Sequence, residues 1–129
     1  MKRRSLVVLG ALFAFAFVAI VGCGGSGSKS TNPAPTGPSF NFTFPATGAS
    51  HAFTFTDAGT WDYHCTPHQG SGMTGAVTVS AGSMVDSVLV TVGPGSTLTF
   101  SPTPATIKVG GTIRWVNGST MTNHTVTRP

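Results

Sequence analysis

Gly59-Thr-Trp61-Asp-Tyr63-His64-Cys65-Thr-Pro67-His68-Gln-Gly-Ser-Gly-Met73-Thr-Gly75-Ala-Val77-Thr-Val79 is the stretch on which the reading of this 129-residue chain turns. An aromatic, strand-like run ends in a cysteine. A proline- and glycine-containing loop follows, carrying a histidine and a methionine, and a second alternating run then begins. Side chains on a strand alternate between faces, so Trp61, Tyr63 and Cys65 share one side and Asp62 and His64 the other. The aromatic pair and the thiol are expected to point inward, and the carboxylate and the neighbouring imidazole outward. A thiol, an imidazole and a thioether therefore fall within nine residues, at a strand end and in the loop beyond it.

The same alternation recurs along the rest of the chain. It is seen in His51-Ala-Phe53-Thr-Phe55, Ser87-Val88-Leu89-Val90-Thr91-Val92 and Thr97-Leu98-Thr-Phe100, and again in Thr106-Ile107-Lys-Val109, Thr112-Ile113-Arg-Trp115-Val116-Asn117 and His124-Thr-Val126. Turn residues separate most of these runs, among them Asp57-Ala-Gly59, Gly93-Pro-Gly95, Gly110-Gly111 and Asn117-Gly118. Helical periodicity is absent after the N-terminal segment. Many short β-rich runs at this spacing predict an all-β fold, a small antiparallel Greek-key β-sandwich.

The N-terminal segment reads as a targeting signal. Lys2, Arg3 and Arg4 precede an apolar run from Leu6 to Val21, too short for a comfortable membrane span. It ends in Ile20-Val21-Gly22-Cys23, which resembles a bacterial lipobox, where a peptidase cuts before a cysteine that carries diacylglycerol. Residues 1–22 are thus expected to be a lipoprotein signal peptide and Cys23 the lipidated residue. An ordinary secretory signal or an uncleaved anchor is the alternative. Residues 23–39 are rich in Gly, Ser and Pro and have too little apolar surface to fold. Treated as a random coil, Gly24 to Ser39 reaches about 20–25 Å. Residues 40–129 remain for one small domain. The chain is expected to be exported, lipid-anchored to a membrane, and to face the periplasm or the cell exterior.

Lipidation of Cys23 would leave Cys65 without a disulfide partner. A lone thiol outside the cytoplasm is exposed to oxidation, and a bound metal removes that hazard. A Cys23–Cys65 disulfide is the competing use of two cysteines in an exported chain, and it would leave the spacing to His68 and Met73 unexplained. The formal net charge of +4 comes mostly from the signal. Beyond it, Lys29, Lys108, Arg114 and Arg128 face Asp57, Asp62 and Asp86, one positive charge in excess. No clustered basic face suited to nucleic acid appears.

A thiolate, two imidazoles and a weak axial thioether form the donor set that holds copper for electron transfer. Residues 59–79 resemble the copper loop of the plastocyanin/pseudoazurin group of cupredoxins: strand, Cys, two residues, His, four residues, Met, then a strand starting near a glycine. Cys65, His68 and Met73 match that order. In the family the other histidine comes earlier, after a Trp-x-Asn segment. Upstream here stand only His51, in register with Phe53 and Phe55 and read as core-edge packing, and His64, read as a solvated strand residue.

Downstream, Phe100 to Thr127 contains Ile113-Arg-Trp115-Val116-Asn117, a short loop and His124-Thr-Val126. This is similar to the N-terminal half of the same family. The resemblance therefore implies a circularly permuted cupredoxin-like sandwich, with the usual termini joined through Ala81-Gly82-Ser83-Met84 and His124 as the fourth ligand. Cys65, His68 and His124 would form a trigonal plane with Met73 axial; Met84 and Met121 do not match the family position. A half-exchanged dimer, in which His124 completes a neighbour's site, is the alternative to a monomer. By the same resemblance the amide two residues beyond the cysteine donates to the sulfur in some cupredoxins, and Pro67 has no N–H to give.

The functional expectation is a type 1 (blue) copper protein holding one ion (Cu+/Cu2+) per domain. It would carry single electrons to transient redox partner proteins through the edge of His68, tethered to the membrane at Cys23. A copper-binding, buffering or delivery module is the alternative. A structural zinc site fits poorly, because methionine is a poor zinc ligand. An enzyme is not expected: Cys65 beside His64 or His68 is proximity in sequence, not a nucleophile–base geometry.

Overall fold

The computed structural model describes residues 37–129; the signal, Cys23 and most of the linker lie outside the described residues. The described residues form nine strands: β1 (Phe40–Phe44), β2 (Ser50–Phe55), β3 (Gly59–His64), β4 (Thr74–Val79), β5 (Ser87–Val92), β6 (Phe100–Ser101), β7 (Ala105–Ile107), β8 (Gly111–Asn117) and β9 (His124–Arg128). They form two sheets, β1-β9-β3-β4-β7 and β2-β8-β5-β6. The all-β sandwich expected from the alternation is what the chain adopts. Most ladders are antiparallel, while β4 with β7 and β5 with β8 run parallel.

Alternation decides which side chains fill the space between the sheets. On β8, Ile113, Trp115 and Asn117 are buried, while Arg114 is exposed. On β3, Trp61 and Tyr63 are buried and Asp62 exposed, and Cys65, the next residue in phase, is fully buried. Trp115 anchors the core, with ring centroids 5.5 Å from Phe40, 5.6 Å from Tyr63 and 6.4 Å from Phe55. Each such fully buried large apolar side chain contributes about 1.5–3 kcal/mol through area removed from water. Gly75 sits directly across from Tyr63 in the β3–β4 ladder. A methyl group there would lie 2.5 Å from the Tyr63 ring, so glycine makes room for the phenol.

Two local readings differ from the structure. The run Thr97 to Phe100 is strand only from Phe100, because the chain first makes a short 3-10 turn at Pro94–Ser96 with glycines in the left-handed region. The run ending at Val109 leaves its ladder after Ile107, and Val109 is exposed in the turn to β8. Strand β1 was not singled out, although Phe40, Phe42 and Phe44 carry the period-2 signal that marks it. It pairs with β9 along its whole length, from Phe40 opposite Arg128 to Phe44 opposite His124.

That pairing positions the site. β9 lies between β1 and β3, antiparallel to both, with Thr127 opposite His64. The start of β9 therefore reaches past the end of β3 and sits beside Cys65.

Candidate metal centre

The segment after β3 is folded tightly on itself. Cys65 is the extended residue that caps a 3-10 turn, Thr66–Ser71, with a proline in its first turn. Proline fits there because its φ is already near the helical value and no N–H is required of it. The turn ends at Gly72, whose φ of +81° lies in the left-handed region open to glycine. The Cys65 N–H donates to the Met73 carbonyl (3.0 Å), and the Met73 N–H donates to the His68 carbonyl (3.2 Å). These bonds close the loop, so Cys65, His68 and Met73 are held as one unit.

The second histidine arrives from the other half of the chain. The carbonyls of Ala46 and Met121 accept from Asn117 Nδ2, and Asn117 Oδ1 accepts from the Ser119 N–H. Asn117 is buried at the end of β8, and these three bonds shape the loop that returns into β9. His124, the first residue of β9, is completely buried. The Thr66 N–H donates to Thr125 Oγ1 (2.8 Å), tying the copper-type loop to β9 just beside it.

Cys65 Sγ lies 3.3 Å from His68 Nδ1 and 3.7 Å from His124 Nδ1. One ligand atom from each of the three residues falls within 4.8 Å of the others. The imidazole rings are 4.9 Å apart and inclined at 55°. The Thr125 N–H also donates to Cys65 Sγ, at 3.3 Å. Burial, reinforced by the neighbouring His68, holds His124 below the usual imidazole pKa. A neutral ring with a free lone pair is the form a metal needs.

Of the three methionines in the described residues, Met73 is fully buried within this loop, whereas Met84 and Met121 are 90% and 40% exposed. His51 packs as expected. Its ring stacks on Phe42 at 4.8 Å and meets Phe44 edge-on, with Nε2 3.1 Å from the Thr43 carbonyl. His64 faces away from the cluster and borders an open groove with Asp62, Gln69 and Thr103. The sequence reading thus brought together Cys65, His68, Met73 and His124. It did not single out Asn117 or Thr125 as supports. An asparagine closing a strand before a glycine was the available signal for the first; the second acts through its backbone N–H and a hydroxyl that alternation does not distinguish from any other strand threonine.

The donor chemistry fits one copper ion. A thiolate and two imidazole Nδ1 atoms converge from separate segments, and a buried thioether lies in the same loop. Hard cations would find no carboxylate here, and a tetrahedral zinc site would lack a good fourth ligand.

Comparison with known proteins points the same way. A family model described as copper binding proteins of the plastocyanin/azurin family matches residues 29–80. Over 35 residues the chain is 51% identical to plastocyanin of Lactuca sativa and 49% identical to that of Sambucus nigra. Each alignment covers 27% of this chain and 35% of the relative, so the chain spans about a third of the length of the curated relatives it matches. No solved structure matches significantly. The family match stops at residue 80 and leaves His124 beyond it.

Proposed function

We propose that this chain, a cupredoxin by its sandwich and its copper-binding segment, is a one-electron carrier of the type 1 (blue) copper class. The observation that carries the reading is the buried convergence of Cys65 Sγ with the Nδ1 atoms of His68 and His124. Bound copper would supply a one-electron couple, and the chain supplies everything else. Cys65, His68 and His124 would hold the ion, and Met73 would add a thioether from the loop. The hydrogen-bonded loop and the start of β9, held between β1 and β3, would keep these donors in place in either oxidation state. Burial of Cys65, Met73 and His124 excludes water from three sides, while half-exposed His68 offers the edge through which a partner protein is met.

The order of the two halves is read as a circular permutation. The family match covers the Cys65–Met73 half, and the half bearing His124 follows it instead of preceding it. Convergence of all three donors within one chain supports a monomer with a self-contained site. The leader Lys2–Val21 followed by Gly22-Cys23 supports export and a lipid anchor at Cys23, with the linker as tether. Mass spectrometry of the membrane fraction should find lipid on Cys23, and Cys23→Ser should release the protein into the soluble fraction.

The test of function is redox cycling. Addition of Cu(II) to the purified protein should produce an intense thiolate-to-copper band in the visible spectrum. Reduction should bleach it and reoxidation restore it, with copper retained throughout. No such band, or loss of copper to a competing Cu(I) acceptor on reduction, overturns the carrier reading, the second outcome in favour of a copper-delivery module.

A further inference from the structure

We propose that Gly93 is a positioning residue of the metal centre. Its bare backbone forms the wall that holds the His124 imidazole against the Cys65 sulfur. The proposal rests on the copper-site reading above for its consequence, but not for the contact itself. One ring nitrogen of His124, Nδ1, faces Cys65 Sγ at 3.7 Å. The other, Nε2, is buried and has no hydrogen-bond partner among the described residues. It points at Gly93. A methyl group on Gly93 would lie 2.9 Å from His124 Nε2, 2.9 Å from Ser119 Cβ and 3.1 Å from the Thr97 carbonyl oxygen. Real Cβ atoms essentially never sit at 2.9 Å from a neighbour, so something would have to move.

The surroundings decide what moves. Gly93 is pinned on both sides: its N–H donates to the Thr99 carbonyl, and its own carbonyl accepts from the Ser96 N–H. Ser119 is fixed too. Its N–H donates to Asn117 Oδ1, its Oγ accepts from the Met121 N–H, and its carbonyl accepts from Thr47 Oγ1. The imidazole makes no hydrogen bond through Nε2 and is the least restrained of the three. It would be driven toward the sulfur or tilted, changing the geometry offered to the metal. A histidine ligand usually has its second nitrogen oriented by a hydrogen bond; here contact with Gly93 does the orienting.

Two residues further on, Gly95 provides an internal control. It has nearly the same left-handed backbone, φ +60° against +63° for Gly93, but nothing lies within 4 Å of where its methyl would stand. Gly95→Ala therefore carries the same conformational penalty without touching His124. Comparing the two substitutions separates backbone strain from contact with the ring.

The experiment has two arms. In the copper-loaded protein, Gly93→Ala should shift the thiolate-to-copper bands and weaken copper binding by about 10–100-fold, the range seen when the outer support of a metal ligand is altered. Gly95→Ala should leave both as in the wild type. In the metal-free protein, the folding equilibrium is measured for Gly93→Ala, His124→Ala and the double variant. Removing the ring should relieve the methyl, so the two substitutions should couple by at least about threefold in the folding equilibrium constant. Should Gly93→Ala alone fail to fold, refolding on addition of His124→Ala supports the contact, and failure to rescue overturns it. An unchanged spectrum in Gly93→Ala, an equal shift in Gly95→Ala, or strictly additive costs would likewise overturn the proposal. If the wild type binds no copper, the functional reading fails while the metal-free arm still judges the contact.

Discussion

The backbone N–H of Thr125 points at the sulfur of Cys65 from 3.3 Å, across 60 residues of chain. Its neighbour His124 presents Nδ1 to the same sulfur at 3.7 Å. Two consecutive residues at the start of β9 thus offer the sulfur both an imidazole and an amide. What the site has beyond its own Cys65–Met73 loop comes from that juxtaposition.

His124→Ala is accordingly expected to abolish the intense visible band while leaving the Cys65–Met73 loop folded. Truncating a buried imidazole opens a cavity, and a loss of about 1–3 kcal/mol of stability should accompany it. Visible absorption after copper addition, combined with gel filtration, checks the outcome. A wild-type band in the substituted protein would remove His124 from the site. A wild-type protein that elutes as a dimer, with donors supplied crosswise, would remove the self-contained monomer.

Much of this was legible because period-2 alternation and ligand spacing are local signals. Trp61, Tyr63 and Cys65 declared a common inward face, and all three are buried. His64 was set aside by the face it takes on its strand and His51 by its register with Phe53 and Phe55 at a position the resembled family gives to an aromatic, and both lie outside the cluster. His124 required an argument about order, since nothing local separates a ligand histidine from an exposed loop histidine. Gly93 was read only as a turn residue. Its nearness to His124 depends on how the β5 end and the β8–β9 loop meet, and spacing along the chain carries no trace of that. The parallel pairings β4–β7 and β5–β8 were hidden for the same reason, because alternation looks identical whichever way a neighbour runs.

Pro67 sets a second expectation. Thr125 already donates one hydrogen bond to the sulfur, and proline cannot add another from the loop side. By the cupredoxin resemblance, Pro67→Ala would supply an N–H to the thiolate from the loop side. A hydrogen bond to sulfur favours the more electron-rich, reduced state, so the reduction potential should rise. A net preference of about 1 kcal/mol corresponds to a shift on the order of 50 mV for a one-electron couple. Voltammetry of the two proteins measures it, and an unchanged or lower potential would contradict the argument.

Tyr63 links the core to pH. Burial pushes its phenol up to about 12 from an ordinary 10; the Trp115 indole pulls the other way, although its N–H does not meet the phenol oxygen in hydrogen-bonding geometry. Below pH 10 the phenol is protonated in both folded and unfolded chains, and it contributes no pH dependence. Between about pH 10 and 12 the unfolded chain releases this proton while the folded one keeps it. Stability should therefore fall across that window, by about 2–3 kcal/mol. Tyr63 is the only tyrosine in the chain, so the pH-dependent tyrosinate change over the tryptophan background reports its titration alone. Denaturant midpoints measured from pH 9 to 12 should drop in the wild type, and Tyr63→Phe should lose this component of the slope.

Charge placement determines how partners are met. Among the described residues, the loops at the metal end, residues 45–49, 65–73, 93–99 and 117–123, contain no ionisable group apart from the proposed ligands Cys65 and His68. Three of them, 45–49, 93–99 and 117–123, are tied together by Thr47 Oγ1 donating to the Ser119 carbonyl, Gly48 N–H donating to the Asn117 carbonyl, and Ser96 paired with Thr120. The charges lie elsewhere: Asp57 in the β2–β3 turn, Asp86 paired with Lys108 near the β7–β8 turn, Arg114 against Ser50, and Arg128 beside Asp62 over the Trp61 ring. A partner approaching His68 would then feel little steering. Electron exchange with a small redox protein should change by less than about twofold as the Debye length is cut from about 30 Å to about 3 Å with salt. Steered pairs change by factors of about 10 to 1,000 over comparable fields. Stopped-flow rates at graded ionic strength decide the matter. Adding a charge at the rim, as in Gln69→Lys or Thr120→Lys, should create the missing salt dependence with an anionic partner, because the rim then carries a field that salt can screen.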